Sequence, residues 1–145
     1  DLQFVSEFTA TPHVFVSRKN PLADRKTVTR SDLTNYPRLT YDQGMNNSFY
    51  FSEELHSTDE SPKSIVVSDR ATLFNLLIGL NGYTISSGIL SSDLNGTDII
   101  SIPLESDEIM EIGYIHSIDR PLSQIALRYL EHLRTYIKNY KKDSD

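Results

Sequence analysis

Ser64-Ile-Val-Val-Ser-Asp-Arg-Ala-Thr-Leu-Phe-Asn-Leu-Leu-Ile-Gly-Leu-Asn-Gly-Tyr-Thr-Ile-Ser-Ser87 reads as strand, helix, tight turn and strand. Ile65 to Val67 is a short β-branched run, the composition that fits a pleated and covered surface. Ser68 then suits a helix N-cap, because its oxygen accepts an otherwise orphaned backbone N–H, and Asp69 falls in the first turn, where the helix dipole favours a negative charge. From Ala71 to Leu80 the apolar side chains Leu73, Phe74, Leu76, Leu77, Ile78 and Leu80 run nearly all round the helix, which predicts burial on every side. Asn81-Gly82 supplies a left-handed exit, and Tyr83 to Ser86 returns as a strand. A strand ending in a hydroxyl at a helix N-terminus is where α/β folds hold small polar or anionic ligands.

Working outward, strands are expected at 14–18, 38–42, 83–86, 98–104 and 110–117, and helices at 31–36, 48–55 and 123–141. Strands alternating with helices predict an α/β fold with a mixed or parallel sheet. The polar stretch 56–64 and the Ser/Asp/Asn/Gly cluster 91–97 read as loops. In the last helix Ile125, Ala126, Tyr129, Leu130, Leu133, Ile137 and Tyr140 recur at helical spacing, while Arg128, Glu131, Arg134 and Lys138 face elsewhere. That pattern predicts a helix lying on a sheet, with a dimer contact as the lesser alternative.

The sequence has 145 residues, 38% of them hydrophobic, enough for one compact unit with its own core. A net charge of −6 argues against direct contact with nucleic acid. With no Cys there is no disulfide, thiolate metal site or cysteine nucleophile, which fits a cytoplasmic chain and equally a Cys-free exported one. No apolar run reaches the ~20 residues that span a bilayer. The four His residues (His13, His56, His116 and His132) show no metal-ligand spacing, and the acidic pairs Glu53-Glu54 and Asp59-Glu60 read as solvated charge. Neither a phosphate loop nor a nucleophile elbow is present, so a binding module is expected, with no enzyme activity and no cofactor.

Several phrases, in order, resemble the effector-binding domain of LysR-type transcriptional regulators. His13-Val-Phe-Val-Ser17 followed by Asn20-Pro-Leu-Ala23 looks like the family's hinge strand and "HPLA" stretch, with Asn in place of the usual His. Ser31-Asp-Leu33, Tyr36-Pro-Arg-Leu-Thr-Tyr41, Leu80-Asn-Gly-Tyr-Thr-Ile85, Ile102-Pro-Leu104 and Arg120-Pro-Leu-Ser123 match later phrases, although Ser86 stands where Pro is common. Within the family the sequence looks closest to streptococcal regulators of methionine metabolism and cell-surface traits.

The resemblance implies a periplasmic-binding-protein-like regulatory domain with two α/β subdomains, one complete and one partial. Residues 20–109 would form the complete one, and 1–19 with 110–145 the hinge strands, the rest of the first subdomain and the terminal helix. It also implies a small metabolite in the cleft between them, amino-acid-like and related to sulfur amino acids. DNA binding would belong to a winged helix-turn-helix that this chain lacks, in a full-length dimer or tetramer. The abrupt start at Asp1 gives the chain the look of a piece of something longer. By position, the implied effector contacts are Ser68 first, then Thr40, Asp42 and Gln43 at a strand end, and Ser17 on the hinge strand. For Ser68 an ordinary capping role is compatible with ligand contact. The alternative is a fragment of an extracytoplasmic solute-binding protein of similar hinge architecture.

Overall fold

β-Branched and aromatic runs fold as the strands their composition favours, and a computed structural model describes residues 1–42 and 63–144. The expected helix at 48–55, the two acidic pairs, His56 and Gln43 lie outside those residues. The chain divides into two units, residues 10–110 and residues 1–9 with 111–145. The division places residues 10–19, assigned above to the hinge, inside the larger unit, because the strand they form is paired on both sides there.

The larger unit is a five-stranded mixed sheet. Its strands are β2 (His13–Ser17), β3 (Arg38–Tyr41), β4 (Ser64–Val67), β5 (Tyr83–Ser86) and β6 (Ile99–Pro103), in the order β4-β3-β5-β2-β6. β3 runs parallel to β4 and β5, while β2 is antiparallel to both β5 and β6. Short helices α1 (Arg30–Leu33) and α3 (Ser92–Asn95) flank the helix α2 (Arg70–Leu80) in sequence. α3 occupies part of the stretch read as a loop, a single turn whose Asn95 amide N–H donates to the Ser91 carbonyl at 2.9 Å.

Period-two alternation sends the side chains of each strand to opposite faces, so the sheet carries two cores. One gathers Val14, Val16, Leu22, Val28, Leu33, Tyr83, Ile85, Ile102 and Leu104. The other packs Phe15, Leu39 and Ile99 against Leu73 and Leu77 of α2, with Phe74 edge-on to Phe15 at 6.4 Å between ring centres. α2 is not buried all round as its composition suggested: Ile78 is 43% and Leu80 46% exposed. A helix on a single sheet buries only the stripe facing it, so apolar content alone overstated its cover.

Two polar residues lock this unit at the end of the sheet away from α2's start. Asn20, in place of the family's usual His, is buried; its Oδ1 accepts from the Leu22 amide at 2.9 Å and its Nδ2 donates to the Asn81 carbonyl at 3.1 Å. Asn81 is the left-handed C-cap of α2, with φ 56°, a conformation Asn tolerates better than most residues. Gly82 follows because a Cβ there would come within 2.8 Å of the Pro37 carbonyl oxygen.

The smaller unit holds β1 (Leu2–Ala10), β7 (Met110–Ser117) and α4 (Gln124–Ser144). β1, whose alternation of Leu2, Phe4, Ser6 and Phe8 was passed over in the sequence, pairs with β7 in a two-stranded sheet. The pair runs antiparallel, since the Ile118 amide donates to the Asp1 carbonyl while Gly113 lies against Val5. Among the described side chains of α4 Leu130 is buried, with Ala126, Leu133 and Ile137 half-buried, whereas Ile125 and Tyr129 are 83% and 65% exposed. Two strands are too narrow to cover the whole apolar arc read from the sequence. Arg134 ties α4 to β1 by a bidentate pair to Glu7, at 2.8 and 2.6 Å, and chiefly that hydrogen bonding holds the Glu7 carboxyl below its ordinary range.

Candidate functional site

In an open α/β sheet the crevice for a ligand lies outside the carboxyl ends of parallel strands, where neighbouring connections diverge. β3 has β4 on one side and β5 on the other, so the chain leaves β3 for one neighbour and then returns to pair on its far side. The switch point of the larger unit is therefore the carboxyl end of β3. Along this edge the order of residues is Ser68, Asp42, Ser86 and His13, one strand after another, since the first residue of antiparallel β2 pairs with the last of β5. Neighbouring strands stand about 4.8 Å apart, so Ser68 and Ser86 flank β3 about 10 Å from each other, the span of a small metabolite.

Ser68 is exposed between β4 and α2 but is not the N-cap it resembled. That position belongs to Asp69, whose Oδ1 accepts from the Thr72 amide at 2.9 Å, while Ser68 Oγ donates to Asp69 Oδ2 at 3.2 Å. Both residue types cap well; the aspartate wins because the backbone stays extended through Asp69, at φ −157° and ψ 161°, so the first helical residue is Arg70. The Asp69 carboxyl is held below its ordinary range, first by the Thr72 backbone N–H and then by the Thr72 hydroxyl. Asp42 is exposed, and its amide donates to the Val67 carbonyl at 2.9 Å, which sets it beside Ser68. Thr40 is 5% exposed, inside β3 one turn of the pleat below the edge.

Ser17 stands apart from this group. It pairs with Ile99 at the other end of β2, is 2% exposed, and its Oγ accepts from the Lys19 amide at 3.3 Å. The reason is strand direction: β2 runs against β5, so its carboxyl end lies at the amino edge of the parallel strands. The structure thus brings Ser68, Asp42 and Thr40 together and separates Ser17 from them. Reasoning on the sequence missed Ser86, Ser87 and His13. The signal available was Ser86-Ser87 in the place where the family commonly has Pro, which puts hydroxyls at the end of β5.

The edge carries two carboxylates, Asp42 and Asp69, and the orphan amides at the start of α2 already serve Asp69. A depressed carboxyl contributes stability above the ordinary aspartate range and loses it as pH falls through that range. Asp69→Ala should lower the melting midpoint by a few degrees at neutral pH, and the gap to wild type should narrow on acidification toward pH ~3. Paired thermal melts across pH check this; a gap independent of pH would exclude the carboxylate as the cap. Among the described residues no cluster of three His, Cys, Asp or Glu side chains is placed to hold a metal ion, and no helix is long and apolar enough to cross a membrane.

This arrangement has relatives. The effector-binding domain of QuiR in complex with shikimate is similar over 96% of this chain and 66% of its own, at 16% identity and a TM-score of 0.66. HinK, a LysR family transcriptional regulator from Pseudomonas aeruginosa, is similar over 93% of this chain and 47% of its own, at 12% identity and a TM-score of 0.64. The Synechocystis PCC6803 CcmR regulatory domain in complex with 2-PG matches over 96% and 68%, at 16% identity and a TM-score of 0.61. At such identities the likeness speaks for the fold, which is α/β and periplasmic-binding-protein-like, and the chain spans between about half and two thirds of these proteins. No curated protein matches the sequence. The model of the LysR substrate binding domain matches residues 1–138, nearly the whole chain, and the chain belongs to that family.

Proposed function

We propose that this chain is the effector-sensing part of a LysR-type regulator, with no enzyme activity of its own. A small metabolite binds at the carboxyl edge of the larger unit, around Ser68, Asp42 and Thr40, with Gln43 following Asp42 in sequence. The observation that supports this reading is the switch point at the end of β3, flanked by hydroxyls on both neighbouring strands, in a chain that matches the family over residues 1–138. QuiR and CcmR, of the same fold, hold shikimate and 2-PG.

Ligand binding shifts the population between arrangements of the sensing domain, by as much as the ligand's affinity differs between them. That shift alters how the family's winged helix-turn-helix domain sits on its operator in a cytoplasmic dimer or tetramer. The effector is amino-acid-like. Asp42 and Asp69 favour an ammonium group at this edge, and they disfavour a carboxylate lodged on α2 beside Ser68, because the amides there are engaged. Its relation to sulfur amino acids rests on the likeness to streptococcal regulators of methionine metabolism.

The test is thermal stabilisation by homocysteine, methionine, O-acetylserine and sulfate. A ligand at 100 times its dissociation constant adds about 2.7 kcal/mol of stability. One selective amino-acid hit, weakened about tenfold by Ser68→Ala, is the expected result, equivalent to about 1.4 kcal/mol. A hit untouched by that change moves the site elsewhere. Silence from every amino acid, or a response to sulfate alone, overturns the effector class.

A further inference from the structure

We propose that His13 orients the effector at this edge, its Nε2 accepting a hydrogen bond from a hydroxyl or ammonium group; the proposal rests on the effector reading above. His13 opens β2 and faces Ser86 of β5 on one side and Pro103 of β6 on the other. Its Nδ1 lies 2.9 Å from the Thr11 carbonyl oxygen. A carbonyl only accepts, so Nδ1 carries the proton and, in the neutral ring, Nε2 presents its lone pair. No bond occupies Nε2 among the described residues.

The ring's place is fixed as firmly as its tautomer. Gly88 passes over it with φ +83°, and a Cβ at that position would stand 2.6 Å from the ring. A left-handed residue with no side chain is what allows the chain leaving β5 to lie against the imidazole. The side chain is half-buried, held by backbone on both sides, and keeps one acceptor unused where β2 begins beside Ser86 of β5. An acceptor fixed before the ligand arrives loses little entropy on binding, which is how preorganised groups raise affinity and select donors. Two strands lie between Ser68 and His13, three spacings or about 14 Å. The effector therefore sits at the β3 and β5 ends, over Asp42 and Ser86, with Ser68 as its contact on one side and His13 on the other.

The test is calorimetric titration of the whole chain with two kinds of donor, the ammonium of methionine and O-acetylserine and the ring hydroxyls of shikimate. His13→Phe keeps a ring against Gly88 but removes the acceptor, and should weaken the bound probe about tenfold. Gly88→Ala keeps the imidazole but displaces it, and should weaken the same probe. In the wild type, addition of that probe should move the Nε2 resonance of His13 while leaving Nδ1 protonated, a signature that a purely structural ring lacks. Which arm responds tells an ammonium donor from a hydroxyl donor. Binding unchanged in His13→Phe, or an Nε2 resonance that stays still, overturns the role of His13 and leaves the effector reading standing. A chain that binds none of the probes overturns both.

Discussion

Leu77→Ala removes about 2–5 kcal/mol from the stability of the larger unit, the range for deleting a buried leucine side chain without collapse of the cavity. Leu77 is 0% exposed and packs with Phe15, Leu39, Leu73 and Ile99 between α2 and the sheet. Most of the walls of that space belong to strands or to α2 itself, so the site has little freedom to close. Whole domains are stable by only about 5–15 kcal/mol, so the change removes a large share. Its neighbour supplies the control: Ile78, 43% exposed on the same helix, should cost well under half as much on truncation to alanine. Urea unfolding followed by circular dichroism measures both, with the slope unchanged for each variant. Equal losses at the two positions would mean that α2 packs differently from the arrangement described. The consequence reaches the proposed site, because α2 is capped by Asp69, next to Ser68, and a helix loosened on its sheet no longer fixes that edge.

The same helix shows what was legible in the sequence. Its existence, the strands on either side and the Asn81-Gly82 exit follow from short-range chemistry: β-branched runs, a run of helix formers, and one residue that tolerates φ 56°. What short-range chemistry leaves open is which of two good caps is used and which side of an apolar helix meets a sheet. Ser68 and Asp69 are equivalent as letters, and only the residue at which the extended backbone turns helical selects the aspartate. Ser17 marks the same limit at the candidate site. Its place at the end of a strand was readable, but the direction of that strand relative to β5 was not, and direction decides at which edge a terminal residue falls. His13 gained its neighbours for the same reason: antiparallel pairing carries the start of one strand to the end of another. β1 is hard to read because Val5 and Glu7 share one face, an apolar and a charged side chain together, and Glu7 is held there by Arg134, more than a hundred residues away.

Gly113→Ala should open the smaller unit. A Cβ at Gly113 would collide with the Val5 carbonyl oxygen across the strand pair and stand 2.9 Å from the Phe4 ring. The nearest atoms are backbone, so relief requires the strands to part, not a side chain to turn. Overpacking of this kind costs about 1–3 kcal/mol in a well-supported core. Here the support is small: two strands and one helix, and two-stranded sheets are marginal on their own. The expected result is rapid tryptic cleavage after Arg128 and Arg134 of α4 as that helix loses its sheet, while cleavage after Arg38, which is 4% exposed in the larger unit, stays slow. Gly79→Ala makes the same chemical change where a Cβ would meet nothing within 4 Å, inside α2. It should stabilise by about 0.4–1 kcal/mol, because alanine loses less backbone freedom on folding into a helix. The two substitutions thus have opposite signs for one reason, the distance from the added methyl to the nearest backbone. Cleavage in α4 that proceeds at the wild-type rate in Gly113→Ala would show that β1 and β7 are not paired in this register.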